Sequence, residues 1–68
     1  MPNRLPRLTA KEAEKILVDE GFSLVRKKGS HHIYRKQRNR IVLPFHSGNI
    51  LHPKIVKELY EIIEIANK

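Results

Sequence analysis

The chain is organised around the segment Gly29-Ser30-His31-His32-Ile33-Tyr34. Its Gly-Ser pair predicts a turn, and the residues from His31 to Lys36 predict a strand after that turn. Because side chains alternate along a strand, two sets are expected on opposite faces, namely His31, Ile33 and Arg35 against His32, Tyr34 and Lys36. We expect Tyr34 in the core, which leaves His31 on the other face.

Two further strands are predicted on either side of this one. Residues 22–28 lie between glycines and predict the first strand. Residues 37–40 are polar and predict a hairpin connection, and Ile41-Val42-Leu43 predicts the third strand, ended by Pro44. Such short connections cannot cross over the sheet, so the three strands are expected to form an antiparallel meander.

A helix is predicted on each side of the sheet segment. Thr9-Ala10-Lys11-Glu12 has the form of a capping box and starts a helix that runs to about Glu20, where Gly21 ends it. Pro53 suits the first position of a second helix. The apolar face of that helix is predicted to comprise Ile55, Val56, Leu59, Ile62 and Ile63, with Tyr60 and Ile65 extending it.

The predicted element order is therefore α-β-β-β-α. This order indicates an α+β fold in which two helices cover one face of a three-stranded antiparallel sheet and the other face meets solvent. Residues 1–68 form one small domain, and residues 1–8, which contain two prolines and two arginines, are predicted to be an N-terminal arm.

The charge of the chain is unevenly distributed. The formal net charge is +7, and all seven acidic residues lie outside residues 21–57. That window contains nine lysines and arginines and all four histidines. A basic segment without acids indicates a polyphosphate partner, above all nucleic acid; the alternatives are a solvated basic surface or an anionic membrane surface.

The composition argues against several other classes of protein. There is no cysteine, so disulfides and thiolate metal sites are excluded. The longest apolar run spans residues 41–45, far short of a membrane span, and the N-terminus lacks the apolar stretch of a signal peptide. We therefore expect a cytoplasmic protein with no membrane partner.

The four histidines do not predict a metal site. His31 and His32 are adjacent on a strand and point apart, while His46 and His52 have no nearby acid to complete a ligand set. His46 is a candidate phosphate contact or simply an exposed loop residue, and His52 is a candidate for holding the start of the second helix. No metal and no cofactor are predicted.

The segments Lys28-Gly29-Ser30-His31-His32-Ile33-Tyr34 and Arg40-Ile41-Val42-Leu43-Pro44-Phe45-His46 resemble those of the HicA toxins of type II toxin–antitoxin systems. The resemblance covers essentially the whole chain. It implies a fold like the double-stranded RNA-binding domain, an mRNA-cleaving activity that blocks translation, and restraint by a HicB antitoxin. It also implies that the catalytic histidine is His31, with His32 in reserve. The chain departs from the family in its hairpin, where residues 36–39 replace a more usual His-Pro pair.

The resulting hypothesis is a metal-independent endoribonuclease. His31 is its acid–base residue, and the expected RNA contacts are Lys27, Lys28, Ser30, Arg35, Lys36, Arg38, Arg40 and His46. Histidine can exchange a proton at neutral pH, so a neutral imidazole could take the proton of the attacking 2′-hydroxyl. The group that protonates the leaving oxygen is left open, with water and Lys28 as candidates. The alternative function is a small RNA-binding module without catalysis.

Overall fold

The computed structural model of the protein describes residues 6–45 and 50–67. The five elements are α1 (Ala10–Asp19), β1 (Ser23–Lys28), β2 (His31–Lys36), β3 (Asn39–Pro44) and α2 (Pro53–Ala66). The predicted α-β-β-β-α order and the α+β class are confirmed.

The first helix begins and ends at the residues that local sequence signals indicate. The Thr9 hydroxyl accepts a hydrogen bond from the Glu12 amide at 3.2 Å, and the Glu12 carboxylate accepts one from the Thr9 amide at 2.9 Å, which completes the predicted capping box. Gly21 follows the helix with φ of +95°, a conformation that a side chain would strain. Just before the helix, the Leu8 carbonyl accepts from the Leu51 amide at 2.7 Å, so the predicted arm is tied to the domain at its last residue.

The sheet is an antiparallel meander in the order β1-β2-β3, as predicted. Two strand boundaries differ from the sequence-based expectation. The first strand begins at Ser23 rather than at residue 22, and the third spans Asn39–Pro44 rather than Ile41-Val42-Leu43. The third strand is longer because Gln37 adopts a φ of +56° in a tight turn, which lets pairing resume at Asn39. Pro44 continues the strand because β3 is an edge strand, where a missing amide can face away from the ladder.

The core lies between the two helices and the sheet. Its buried side chains are Ala10, Ala13, Leu17, Phe22, Tyr34, Ile41, Leu43, Leu51, Val56 and Leu59. The prediction that Tyr34 is a core residue is confirmed, since its side chain is 0% exposed. Its hydroxyl donates a hydrogen bond to the Glu14 carboxylate of α1. Burial, helped by that carboxylate, raises the pKa of the Tyr34 hydroxyl well above its ordinary value.

The predicted apolar face of α2 is only partly correct. Val56 and Leu59 are buried, and residues 55, 62 and 63 pack against the core. Ile65, however, is 56% exposed, and Tyr60 is 38% exposed. At 100° per residue both lie off the stripe that meets the sheet, so they do not extend it.

The helices cover the sheet unevenly. Both α1 and α2 pack over β3, whereas all six residues of β1 are exposed. The apolar side chains of Leu24 and Val25 are therefore 39% and 54% exposed. The face of the sheet opposite the helices is called here the open face.

Candidate functional site

His31 is the first residue of β2 and lies directly after a tight turn. Gly29 in that turn has φ of +59°, and a Cβ there would meet no neighbouring atom, so glycine is required for its backbone conformation rather than for space. Across the sheet His31 pairs with Lys28 of β1 and Pro44 of β3. Paired residues share a face, and since Tyr34 faces the helices, His31 lies on the open face, where it is exposed.

A β-bulge in β1 determines which cations share that face. The register shifts between Leu24 and Arg26, and beyond the shift Arg26 pairs with Ile33 and Lys28 with His31. Both cations therefore lie on the open face with the histidine. Lys27 pairs with His32 instead and projects from the opposite face of the exposed strand. The sequence-based prediction included Lys27 and omitted Arg26.

Two more guanidinium groups extend this cationic surface along the sheet. Arg35 of β2 and Arg40 of β3 form a cross-strand pair on the open face, and both are exposed. The Arg35 Nε donates to the Gln37 carbonyl at 2.6 Å, which fixes one end of that side chain. Between these arginines and His31 lie the half-buried Ile33 and Val42. We call the set Arg26, Lys28, His31, Arg35 and Arg40 the basic face.

Other predicted RNA contacts lie elsewhere. The Lys36 Nζ donates to the Glu20 carbonyl at 2.8 Å and to the Asn67 side chain at 3.2 Å, so it joins the C-terminal ends of the two helices. Arg38 is exposed in the turn between β2 and β3. Ser30 is half-buried, and its carbonyl accepts from the Phe45 amide at 2.6 Å. His46 lies outside the described residues.

His32 occupies a different environment from its neighbour. Its ring stacks on Phe45 with centroids 3.9 Å apart and an interplanar angle of 20°. Its Nδ1 atom is buried and has no hydrogen-bond partner among the described residues. The two adjacent histidines therefore point to opposite faces, as the strand alternation predicts, and only His31 shares a face with the cations.

His52 has the structural role that its position before Pro53 indicates. Its Nδ1 accepts a hydrogen bond from the Lys54 amide at 3.0 Å and so caps the N-terminus of α2. This bond confirms the prediction that His52 holds the start of the second helix.

A groove of about 430 Å³ lies where β3 meets the first turns of α2. It is lined by His31, Arg40, Ile41, Val42, Pro44, Ile55 and Glu58. Glu58 was not among the predicted site residues, because residues 21–57, around His31, contain no acid. The signal that could have suggested Glu58 is helical spacing, since it lies three residues after Ile55 and so on the same side of α2.

The described residues contain no group of three or more histidine, aspartate or glutamate side chains that could hold a metal ion. No helix within them is both long and apolar enough to cross a membrane. The site brings together one accessible imidazole, four neighbouring cations and one carboxylate. Such a set can hold a phosphodiester and move protons at its oxygens.

Comparison with known protein families adds an independent finding. The family model described as HicA toxin of bacterial toxin-antitoxin matches residues 10–65, which includes every helix and strand except the last residue of α2. No curated protein and no solved structure matched the chain. Because the family model covers well over half of the 68 residues, the chain belongs to the HicA toxin family and has the role of the toxin, which implies an antitoxin partner.

Proposed function

We propose that this toxin is a metal-independent endoribonuclease that cleaves mRNA in the cytoplasm and thereby inhibits translation. The observation that carries the proposal is the position of His31, an exposed imidazole on a sheet face that contains four cations and no acid. A protein that only bound RNA would need the cations but not the histidine beside them.

The basic face places cations and a proton-transfer group where a phosphodiester could bind. Lys28 lies directly across from His31, where paired Cβ atoms are about 4.5–5.5 Å apart. A phosphate held there would lie within reach of both side chains. As the 2′-hydroxyl attacks the adjacent phosphorus, negative charge builds on the phosphoryl oxygens, and a fixed cation lowers the energy of that state. His31 would transfer one of the two protons that the reaction requires.

The length of the sheet sets the extent of the RNA contact. Six-residue strands span about 20 Å, and the basic face has cations along that span, from Lys28 beside the histidine to Arg35 and Arg40 near the far turn. Arg38 in that turn and Lys27 on the exposed β1 strand flank the surface. The RNA strand would thus cross several phosphate sites, with the scissile bond at the His31 end.

The antitoxin is proposed to be a small acidic protein of the HicB type. A partner that meets a surface of one charge gains faster association and specificity by presenting the opposite charge. Carboxylates over Lys28 and Arg35 would also exclude phosphate from the same cations. Coverage of His31 would silence cleavage directly, so one bound surface accounts for both tight binding and inhibition.

Incubation of the purified protein with end-labelled RNA in excess EDTA tests the proposal. We expect discrete cleavage products that end in a 2′,3′-cyclic phosphate, because the 2′-oxygen is the nucleophile and no metal is needed. RNA that shifts on a gel but stays intact would contradict the proposal and identify a binding module instead. A preparation denatured and refolded before the assay controls for contaminating nucleases.

A further inference from the structure

The groove between β3 and α2 brings together three groups of complementary chemistry. His31 lies at one wall, Arg40 lies along β3, and Glu58 projects from the second turn of α2. All three side chains are exposed to solvent, so an incoming ligand can reach them. The four remaining lining residues are apolar, namely Ile41, Val42, Pro44 and Ile55. A groove of about 430 Å³ is large enough for one nucleotide unit.

Glu58 differs from the other acids of α2 because it lines the groove. The other acids described on α2, Glu61 and Glu64, do not line the groove. Residues 31–44 contain no acid, and Glu58 is the acid that lines the groove beside them. A carboxylate beside cations that hold a phosphate weakens phosphate binding, so its position there calls for a role other than binding.

Transfer of the phosphoryl group to a 2′-oxygen needs two proton-transfer groups. One takes the proton from the attacking hydroxyl and the other gives a proton to the leaving 5′-oxygen, and the two oxygens lie on opposite sides of the phosphorus. Within the proposed ribonuclease function, on which this inference rests, His31 can fill only one of these roles at a time.

We propose that Glu58 is the general base and that His31, in its protonated form, is the general acid. The Glu58 carboxylate takes the 2′-hydroxyl proton as the 2′-oxygen bonds to phosphorus. The bond from phosphorus to the 5′-oxygen breaks, and the His31 imidazolium gives its proton to that oxygen. The products are a 2′,3′-cyclic phosphate and a 5′-hydroxyl, with Glu58 protonated and His31 neutral. Lys28, paired with His31 across the sheet, balances the charge on the phosphoryl oxygens.

Glu58 and His31 line the same groove without an ion pair between them, as this arrangement requires. Each must lie about 2.6–3.2 Å from its own oxygen with the phosphate between them, so they cannot contact each other directly. Among residues 6–45 and 50–67 the one ion pair is that of Lys15 with Asp19, so Glu58 is bonded neither to His31 nor to Arg40. Both groups are thus free to engage a substrate.

The position of Lys28 makes it a poorer candidate for the leaving-group acid. It pairs with His31 from β1, on the side of β2 away from β3, and it does not line the groove. The charged groups around His31 are therefore Lys28 and Arg26 on the β1 side, and Glu58 with Arg40 along the groove on the β3 side. Cations on both sides of His31 favour binding of a phosphate, whereas the carboxylate of Glu58 lies on the groove side alone.

The test is the pH profile of single-turnover cleavage for Glu58→Gln, with Glu61→Gln as the matched control on the same helix. A carboxylate base loses activity as the pH falls and an imidazolium acid loses it as the pH rises, so the wild-type profile should be bell-shaped. Glu58→Gln should lower the maximal rate by about 10²-fold or more, abolish the acidic limb and keep the alkaline limb. RNA affinity should stay equal or rise, because a negative charge has been removed.

Two results would overturn the assignment while leaving the ribonuclease proposal standing. One is a Glu58→Gln variant that cleaves like the Glu61→Gln control. The other is a slower variant that retains the acidic limb, since the base would then be another group. Failure of the ribonuclease proposal itself looks different, because the wild-type protein would then bind RNA but leave it intact in EDTA. Circular dichroism of each variant checks that the fold is retained.

Discussion

Replacing Tyr34 with phenylalanine should remove a large part of the stability of this small domain. The ring is completely buried between α1 and the sheet, and its hydroxyl donates to the Glu14 carboxylate. Phenylalanine keeps the ring packing, so the loss is that of one partly buried hydrogen bond to a charged group, about 1.5–3 kcal/mol. A domain of 68 residues has about 3–10 kcal/mol of stability in all. Urea unfolding at pH 7 measures the difference.

The same bond makes stability depend on alkaline pH in a defined direction. Because the pKa of Tyr34 is raised in the folded state, its contribution is fully present below about pH 10, where the unfolded side chain titrates. Above that pH the unfolded chain releases the proton while the folded chain retains it. The gap between wild type and Tyr34→Phe should therefore shrink by about 1.4 kcal/mol between pH 9 and pH 11.

Tyr60→Phe is the matched control for this experiment, because Tyr60 is partly exposed on α2 and makes no hydrogen bond through its side chain to any described residue. It should unfold like the wild type at both pH values. A Tyr34→Phe variant as stable as the wild type at pH 7 would refute the reasoning. So would a stability gap that is the same at pH 9 and pH 11, since the raised pKa would then have no effect on folding.

Three further predictions follow from the charges and the caps. Changing Lys28 and Arg35 to Gln should flatten the slope of log Kd for RNA against log salt by about 1.4, or about 0.7 per phosphate contact. Lys11→Gln on α1 should leave the slope unchanged. If the double variant keeps the wild-type slope, RNA binds to another surface. Changing Lys28 and Arg35 to Glu should weaken the antitoxin complex, and RNA should compete with the antitoxin in a fluorescence binding assay. A complex that is insensitive to the charge reversal and to added RNA would contradict a shared binding surface. Thr9→Ala should cost about 1 kcal/mol in thermal unfolding, since one capping bond is lost, and an unchanged melting temperature would argue against the cap.

Features that depend on local sequence were predictable. The capping box at Thr9 needs only four consecutive residues, and its bonds form as expected. The alternation of His31 and Tyr34 needs only the assumption of a strand, because side chains in a strand must alternate. The capping box and the strand alternation both depend on residues close together in the sequence, so the packing of other elements does not change them.

Features that depend on pairing between distant segments were not predictable. The bulge in β1 reverses the faces of Arg26 and Lys27, yet its position follows from how β1 aligns with β2 rather than from its own residues. The groove position of Glu58 depends on how α2 packs beside β3, about fifteen residues away in the chain. The hairpin at Gln37 is shorter than the predicted connection of residues 37–40, and the positive φ that shortens it is uncommon for glutamine and so has no signal in the residue type.

The most direct test of the account compares His31→Ala with His32→Ala in RNA cleavage by folded, purified protein in EDTA. His31 is exposed on the basic face, so its removal should abolish cleavage with little change in RNA affinity or stability. His32 stacks on Phe45 from the other face, so its removal should lower stability while cleavage by the folded fraction continues. Undiminished cleavage by His31→Ala, or loss of cleavage in folded His32→Ala alone, would contradict the assignment of the catalytic histidine.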